Sequence, residues 1–415
     1  MKRIISMVGL ILVFLVFLGS APLVSFGDQR VRVIVGFRGD SNYDTSRDQI
    51  SSMGSIVLEI AEIKAVVLEL PQSLVNRIAS LPFVRYVDYD KPVKIQQEVQ
   101  WNIEMINATK VWSTYSPQYG DAAYGYGLTI RVAVVDTGIY YRHPDLKDSV
   151  TWCVVSLRNT KTLYEGTNLK NCDDPNGHGT HVAGIIAARL NGIGVAGAAP
   201  KALLYAVRVL DASGSGYVSD VAKGIVEATK GPDNNAGTTD DADVISMSLG
   251  GPDSPVLRDA VIYAYSYGVV LVAAAGNEGA SQPSYPAAYP EVIAVGAIDI
   301  NYQVPSWSNR NPDLVAPGVS ILSTWKGGSY AYASGTSMAA PHVSATVALI
   351  QALRLASGHG KLAPDQVRDV LISTAIDLGS SGYDPAYGYG LAVSYTHLRA
   401  HETPEHLVCR LLLEK

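Results

Sequence analysis

Three short stretches carry side chains that could do chemistry together. In the first, an apolar run ends in Asp136-Thr137-Gly138. An acid at the carboxyl end of a buried strand is held rigidly, and the glycine after it allows a tight turn, although Asp-x-Gly is also ordinary turn chemistry. The second is Asn176-Gly177-His178-Gly179-Thr180-His181, where His178 would open a small-residue helix. Two histidines three apart could bind a metal, but no carboxylate or third histidine follows at ligand spacing. His181 reads as a structural residue on the buried face. In the third stretch, Ser334 to His342, Ser337 would stand at the start of an apolar helix. There it could be a simple N-cap, or a nucleophile whose developing charge the helix terminus favours. His342, five residues further on, reads as structural. A serine hydroxyl becomes a useful nucleophile when a neutral imidazole takes its proton and a buried carboxylate fixes the imidazole tautomer. Asn277, in a turn after the apolar run Ala273-Ala274-Ala275, could supply the amide N–H that such a reaction needs for its oxyanion.

The elements that must position these residues lie within 415 residues, enough for two or three domains. With 47% hydrophobic residues, disorder throughout is excluded. A net charge of −6 leaves no basic excess for neutralising phosphates, so nucleic acid is not expected as a partner. Three cysteines are too few for a disulfide-dense scaffold. Residues 1–27 pair Lys2 and Arg3 with an apolar core and end in the small-x-small sequence Ser25, Phe26, Gly27. That pattern fits a secretory signal peptide, the rival being a membrane anchor. No later stretch looks long and apolar enough to span a bilayer, so a secreted chain without stable membrane association is expected.

Residues 28–95 alternate as β-α-β-β-α-β, with helices at Ser46–Met53 and Gln72–Ser80, suggesting a small ferredoxin-like α+β domain. Residues 96–392 alternate apolar, β-branched runs with helical patterns. The runs fall at 130–135, 203–209, 244–248, 269–274 and 292–295. This is the signature of an α/β fold with a doubly wound, mainly parallel sheet, in which ligands sit at the carboxyl ends of strands. Residues 393–415 break the pattern and resemble translated adapter sequence, so they are expected to be an artefactual tail. Cys409 lies in that tail.

The motifs around Asp136, His178 to Gly184, Ser246 to Gly251, Ala274 to Asn277 and Gly335 to His342 resemble, in this order, those of subtilisin-like serine proteases, the subtilases. The resemblance implies that Asp136 is the orienting acid, His178 the general base, Ser337 the nucleophile and Asn277 the oxyanion donor. It further implies an extended polypeptide substrate lying between Gly214-Ser215-Gly216 and Ser248-Leu249-Gly250, with Ala274, Gly276 and their neighbours at the first specificity pocket. Read without the resemblance, residues 214–216 are merely a loop. Residues 28–95 resemble the family's propeptide, an intramolecular chaperone and inhibitor cleaved near Ile95 or Gln96. A structural Ca²⁺ is implied on the side chains of Gln97, Asp145 and Asn191 and the carbonyls of Arg189, Ile193 and Val195, a mixed oxygen set that suits calcium. The alternative is an ordinary glycine-rich loop. The acidic stretch Asp233, Asp240, Asp241 and Asp243 reads as a solvated loop. Cys153 and Cys172 could close a loop of about twenty residues in a secreted protein. The expected protein is a monomeric, secreted, autoprocessing serine endopeptidase. The rivals are a catalytically silent subtilase fold used for binding, and an esterase, which the absence of a Gly-x-Ser-x-Gly elbow disfavours.

Overall fold

A computed structural model describes residues 29–90, 99–115, 129–157 and 164–395, with side chains described for all but 164–166. The expected signal peptide, Gln97 and the tail beyond Tyr395 lie outside the described residues. The chain divides into two compact units, Met1–Val93 and Lys94–Lys415.

In the first unit the order is β1 (Arg30–Phe37), α1 (Tyr43–Ser51), β2 (Ser55–Ile60), β3 (Ala65–Pro71), α2 (Val75–Ala79) and β4 (Val84–Tyr89). The strands form an antiparallel sheet in the order β2-β3-β1-β4, so the expected β-α-β-β-α-β succession is present. Asn42 caps α1 by accepting the Thr45 N–H at 3.1 Å. The second helix is shorter than its sequence suggests. Gln72–Leu74 is a 3₁₀ turn, and within α2 only Ile78 is buried, so little apolar surface holds a longer helix in place.

The second unit begins with α3 (Trp101–Met105) and α4 (Ala108–Tyr115). Next come β5 (Arg131–Asp136), β6 (Val150–Val155), β7 (Tyr164–Gly166), α5 (His178–Ala187) and β8 (Leu203–Arg208). After these lie α6 (Val218–Lys230), β9 (Val244–Met247), α7 (Pro255–Ser266), β10 (Val270–Ala274), β11 (Val292–Ile298) and β12 (Leu314–Pro317). The unit closes with β13 (Ile321–Trp325), β14 (Ser329–Ala333), α8 (Thr336–Ala356) and α9 (Pro364–Ser373). Eight strands make one sheet in the order β12-β11-β10-β9-β5-β8-β6-β7, parallel except for the edge strand β7.

Strand periodicity builds the layers. On β5, Val132 and Val134 face one core, with α5 and α8, while Ala133 and Val135 face the other, with α6 and α7. The sheet is therefore buried on both faces, which is why its strands read as continuous apolar runs. Helix α8 is buried along almost its whole length. The packed chain continues past the expected boundary at Ala392. Val393 and Ser394 are buried, Ser394 donates its N–H to the Ile106 carbonyl at 2.8 Å, and the Tyr395 ring packs 6.3 Å from Tyr115.

Candidate active site

Four neighbouring strands of the sheet, β10, β9, β5 and β8, deliver their carboxyl ends to one place. Asp136 is the last residue of β5 and fully buried. Its backbone then turns at Gly138, whose φ is +108° and where a Cβ would lie 2.5 Å from the Cys172 carbonyl. Only glycine fits that crossing. His178 opens α5 after Gly177, where φ is +111° and a Cβ would strike the Trp325 ring at 2.5 Å. The His178 Nδ1 faces both Asp136 oxygens, at 2.8 and 3.0 Å. A carboxylate accepts only, so Nδ1 carries the proton and Nε2 is left as the basic nitrogen. Burial opposes charge on this ring, but the charge and hydrogen bond of Asp136, with Asp174 further off, outweigh it. The His178 pKa is raised above the ordinary histidine value.

Ser337 is the second residue of α8 and half-buried. It is tied to Ser248, the residue after β9, by two bonds. The Ser337 hydroxyl donates to the Ser248 carbonyl at 3.3 Å, and the Ser248 hydroxyl donates to the Ser337 carbonyl at 2.8 Å. The second bond has a cause in the sequence. Pro341 lies four residues after Ser337 and has no N–H, so the Ser337 carbonyl loses its helical donor and is open to Ser248.

Asn277 is exposed in the turn after β10. Its Oδ1 accepts the Thr336 N–H at 2.8 Å and the Thr336 hydroxyl at 3.0 Å. The Thr336 N–H can only donate, so it fixes the amide with oxygen inward and Nδ2 turned away from Thr336. Thr336 also accepts the Gly276 N–H at 3.0 Å. Buried Asn309 pins the same turn, taking the N–H groups of Glu278 and Ala280 and donating to the Ala275 carbonyl and the Glu278 carboxylate. Neither Thr336 nor Asn309 stands out by type or spacing in the sequence.

Gly214, Ser215, Gly216, Ser248, Leu249 and Gly250 all line one cleft of about 590 Å³, together with His178, Tyr217 and Tyr285. Ala274 and Gly276 do not line it. Ala274 is buried at the end of β10, and Gly276 lies behind Asn277 in the turn.

His181 and His342 are structural, as their positions suggested. His181 Nε2 faces the Ile321 and Ala331 carbonyls, each at 3.0 Å, and His342 Nδ1 faces the Met338 carbonyl at 2.8 Å. Burial lowers both to a pKa of about 4, so both are neutral.

The residues expected around calcium are partly assembled. Asp145 is fully buried and forms no ion pair among the described residues. Its Oδ2 accepts the Val195 N–H at 3.1 Å and the Tyr330 hydroxyl at 2.9 Å, and its Oδ1 accepts the Asn191 Nδ2 at 3.1 Å. Gly194 presses the loop onto this carboxylate, since a Cβ there would lie 2.3 Å from Oδ2. A buried anion in a cradle that only glycine leaves open fits a cation. Asn191 now turns its oxygen to the Ile193 N–H, so its amide must rotate to present that oxygen to an ion. The acidic stretch is less solvated than expected. Asp241 and Asp243 are buried because they cap backbone donors, Asp241 those of Gly237 and Thr238 and Asp243 that of Arg131. Asp233, Asp240 and Asp241 bring carboxylate oxygens within 4.8 Å of one another. Cys153 and Cys172 are joined in a disulfide with Cα atoms 6.0 Å apart.

An imidazole oriented by a buried acid lines the cleft with Ser248, to which Ser337 at the start of α8 is bonded, an arrangement that fits a serine hydrolase on a doubly wound sheet. The sequence comparisons narrow the class. The model of the subtilase family matches residues 127–390. Over 385 residues the chain is 40% identical to subtilisin amylosacchariticus of Bacillus subtilis subsp. amylosacchariticus, covering 90% of this chain and 91% of that one. It is 43% identical to subtilisin DY of Bacillus licheniformis over 303 residues, 71% of this chain and 97% of that one. An alkaline protease of Shouchella clausii is 40% identical over 340 residues, 80% and 79% of the two chains. The chain belongs to the subtilase family and is a serine endopeptidase. No helix of the described residues is long and apolar enough to cross a membrane.

Proposed function

We propose that the protein is a secreted, autoprocessing endopeptidase that cleaves polypeptides through Asp136, His178 and Ser337. The observation that carries this is the His178–Asp136 pairing at 2.8 Å, which fixes the tautomer whose free Nε2 can accept a proton. The Ser337 hydroxyl adds to the scissile carbonyl as His178 takes its proton, and Asp136 stabilises the imidazolium. The oxyanion is held by the Asn277 Nδ2 and by the Ser337 N–H in the first turn of α8, its neighbours Thr336 and Met338 donating to Asn277 Oδ1 and the Gly335 carbonyl. His178 then returns its proton to the leaving amine, giving an acyl-enzyme that water, activated by the same imidazole, hydrolyses. The substrate backbone lies in the cleft between Gly214–Gly216 and Ser248–Gly250.

Residues 28–95 serve as propeptide, the first unit's fold supporting their reading as a separately formed domain. Its preformed sheet would aid folding of a catalytic unit dominated by non-local parallel pairing. Asp145, Asn191 and the carbonyls of Arg189, Ile193 and Val195, with Gln97, would hold calcium, which supplies positive charge to an otherwise uncompensated carboxylate.

The test is expression of residues 28–395 with and without Ser337→Ala, in calcium. The parent should release its propeptide and digest casein, and the variant should do neither. A parent that keeps an intact propeptide and leaves casein whole would sink the proposal and favour the silent binding fold.

A further inference from the structure

A second buried carboxylate stands behind the first. Asp174 is 4% exposed and takes five hydrogen bonds from neutral donors. Its Oδ1 accepts the Thr137 hydroxyl at 2.8 Å and the N–H groups of Asn176 and Gly177 at 2.9 and 2.8 Å. Its Oδ2 accepts the Thr180 N–H at 2.9 Å and the Thr180 hydroxyl at 2.6 Å. Each hydroxyl has one proton, and giving it to Asp174 fixes what the oxygen does next. Thr137 Oγ1 then accepts the Gly179 N–H at 2.9 Å, and Thr180 Oγ1 accepts the Tyr140 N–H at 2.9 Å. The Thr137 N–H in turn donates to Asp136 Oδ1 at 2.7 Å. One carboxylate thus locks the turn that carries the catalytic acid to the first turn of the helix that carries the catalytic base.

We infer that Asp174 is a positioning residue for proton transfer, which sets both the register of His178 against Asp136 and the electrostatic field at the imidazole. The inference rests on the proposed roles of Asp136 and His178. An amide cannot replace this carboxylate, because its NH₂ would face donors on whichever side it turned.

The other charged groups around the cluster are placed as follows. Asp136 faces the His178 ring from β5, and His181 lies one turn along α5 and is neutral. Arg208, at the end of β8, feels Asp173, Asp174 and Asp211, but its guanidinium donates to the Asp173 carbonyl at 3.4 Å. The Asp173 side chain is taken by Arg142 at 2.6 Å, and the Lys326 ammonium donates to the Pro175 carbonyl at 2.7 Å. None of these cations bonds the Asp174 oxygens, so its negative charge is not cancelled by a direct ion pair before it is felt at His178. Burial resists charging of His178, and the charge of Asp174 adds to that of Asp136 in overcoming it.

Two measurements test this, and one needs no turnover. In the Ser337→Ala protein, the His178 imidazole resonance is followed by NMR from about pH 4 to 9. Adding Asp174→Asn should lower its midpoint by about half a pH unit or more, with Asp174→Glu restoring most of it. An unchanged midpoint overturns the inference. In the Ser337-bearing enzyme, Asp174→Asn should cut kcat by about tenfold or more with KM little altered, the acid limb following the NMR shift. A lower Tm with kcat and the acid limb unmoved would mark a merely structural residue and overturn it. Should Asp174→Asn not fold, Thr137→Val removes the hydroxyl bridge alone. It should lower kcat by about threefold or more, and an unaltered kcat overturns the inference. A parent inactive on casein with the NMR shift intact refutes the protease reading instead, so the two failures are distinct.

Discussion

Replacing Asn277 by Ala should lower kcat by about 10²–10³ with KM nearly unchanged, the size known for loss of one oxyanion donor in this family. Thr336 holds the amide oxygen in the resting site, so the loss should be confined to the transition state. Initial rates on a chromogenic peptide amide would check it. The pH profile is a second residue-scale expectation. With His178 as the proposed base, catalysis would need it neutral, and its pKa is raised, so kcat/KM should fall with decreasing pH through a midpoint above about 6.5 rather than at it. Asp136 and Asn277 are legible in the sequence as site candidates because they follow apolar runs, and His178 and Ser337 because they open stretches of small and apolar residues. Asp174 is not. It is one acid of the pair Asp173-Asp174 in a loop without periodicity, and its five donors come from side chains and turns that only folding brings together.

At the scale of elements, the central strands and the helices α6, α7 and α8 can be read from their apolar runs. Strands β6, β7, β12, β13 and β14 are not evident beforehand, being short or interrupted by polar residues, and they are defined by the neighbours they pair with. Pro341 gives an element-scale prediction. Pro341→Ala restores an N–H that competes with Ser248 for the Ser337 carbonyl. The variant should be at least as stable as the parent, since a helix-interior proline costs up to about 3 kcal/mol, yet several-fold slower. Thermal melts and kcat measured on one preparation would decide it; a faster enzyme would refute it. The Cys153–Cys172 bridge closes a loop of 19 residues' separation. Replacing both by Ser should cost about 3 kcal/mol, seen as a Tm lower by about 5–10 °C.

For the whole molecule, acid is the weak side. His181 and His342 stay neutral when folded down to a pKa of about 4, whereas in the unfolded chain they take up protons below about 6.5. The unfolded state binds more protons in that window, so stability falls as pH drops from about 6.5 to 4, by on the order of 3 kcal/mol per histidine. His178 acts in the opposite sense. Its raised pKa means that its pairing with Asp136 contributes fully below about pH 6.5 and is lost as pH rises through the folded value. Denaturant titrations of the Ser337→Ala protein at pH 7 and pH 4.5 should show the net acid loss, and equal midpoints would refute it. The placement of Ser337 on α8, after every strand of the large sheet, also governs when activity can arise. A chain emerging from the ribosome exposes Asp136 and His178 early, but the proposed nucleophile follows only after that sheet's last strand has been made. On the proposed roles, a product truncated before Ser337 therefore lacks the nucleophile and should be inactive.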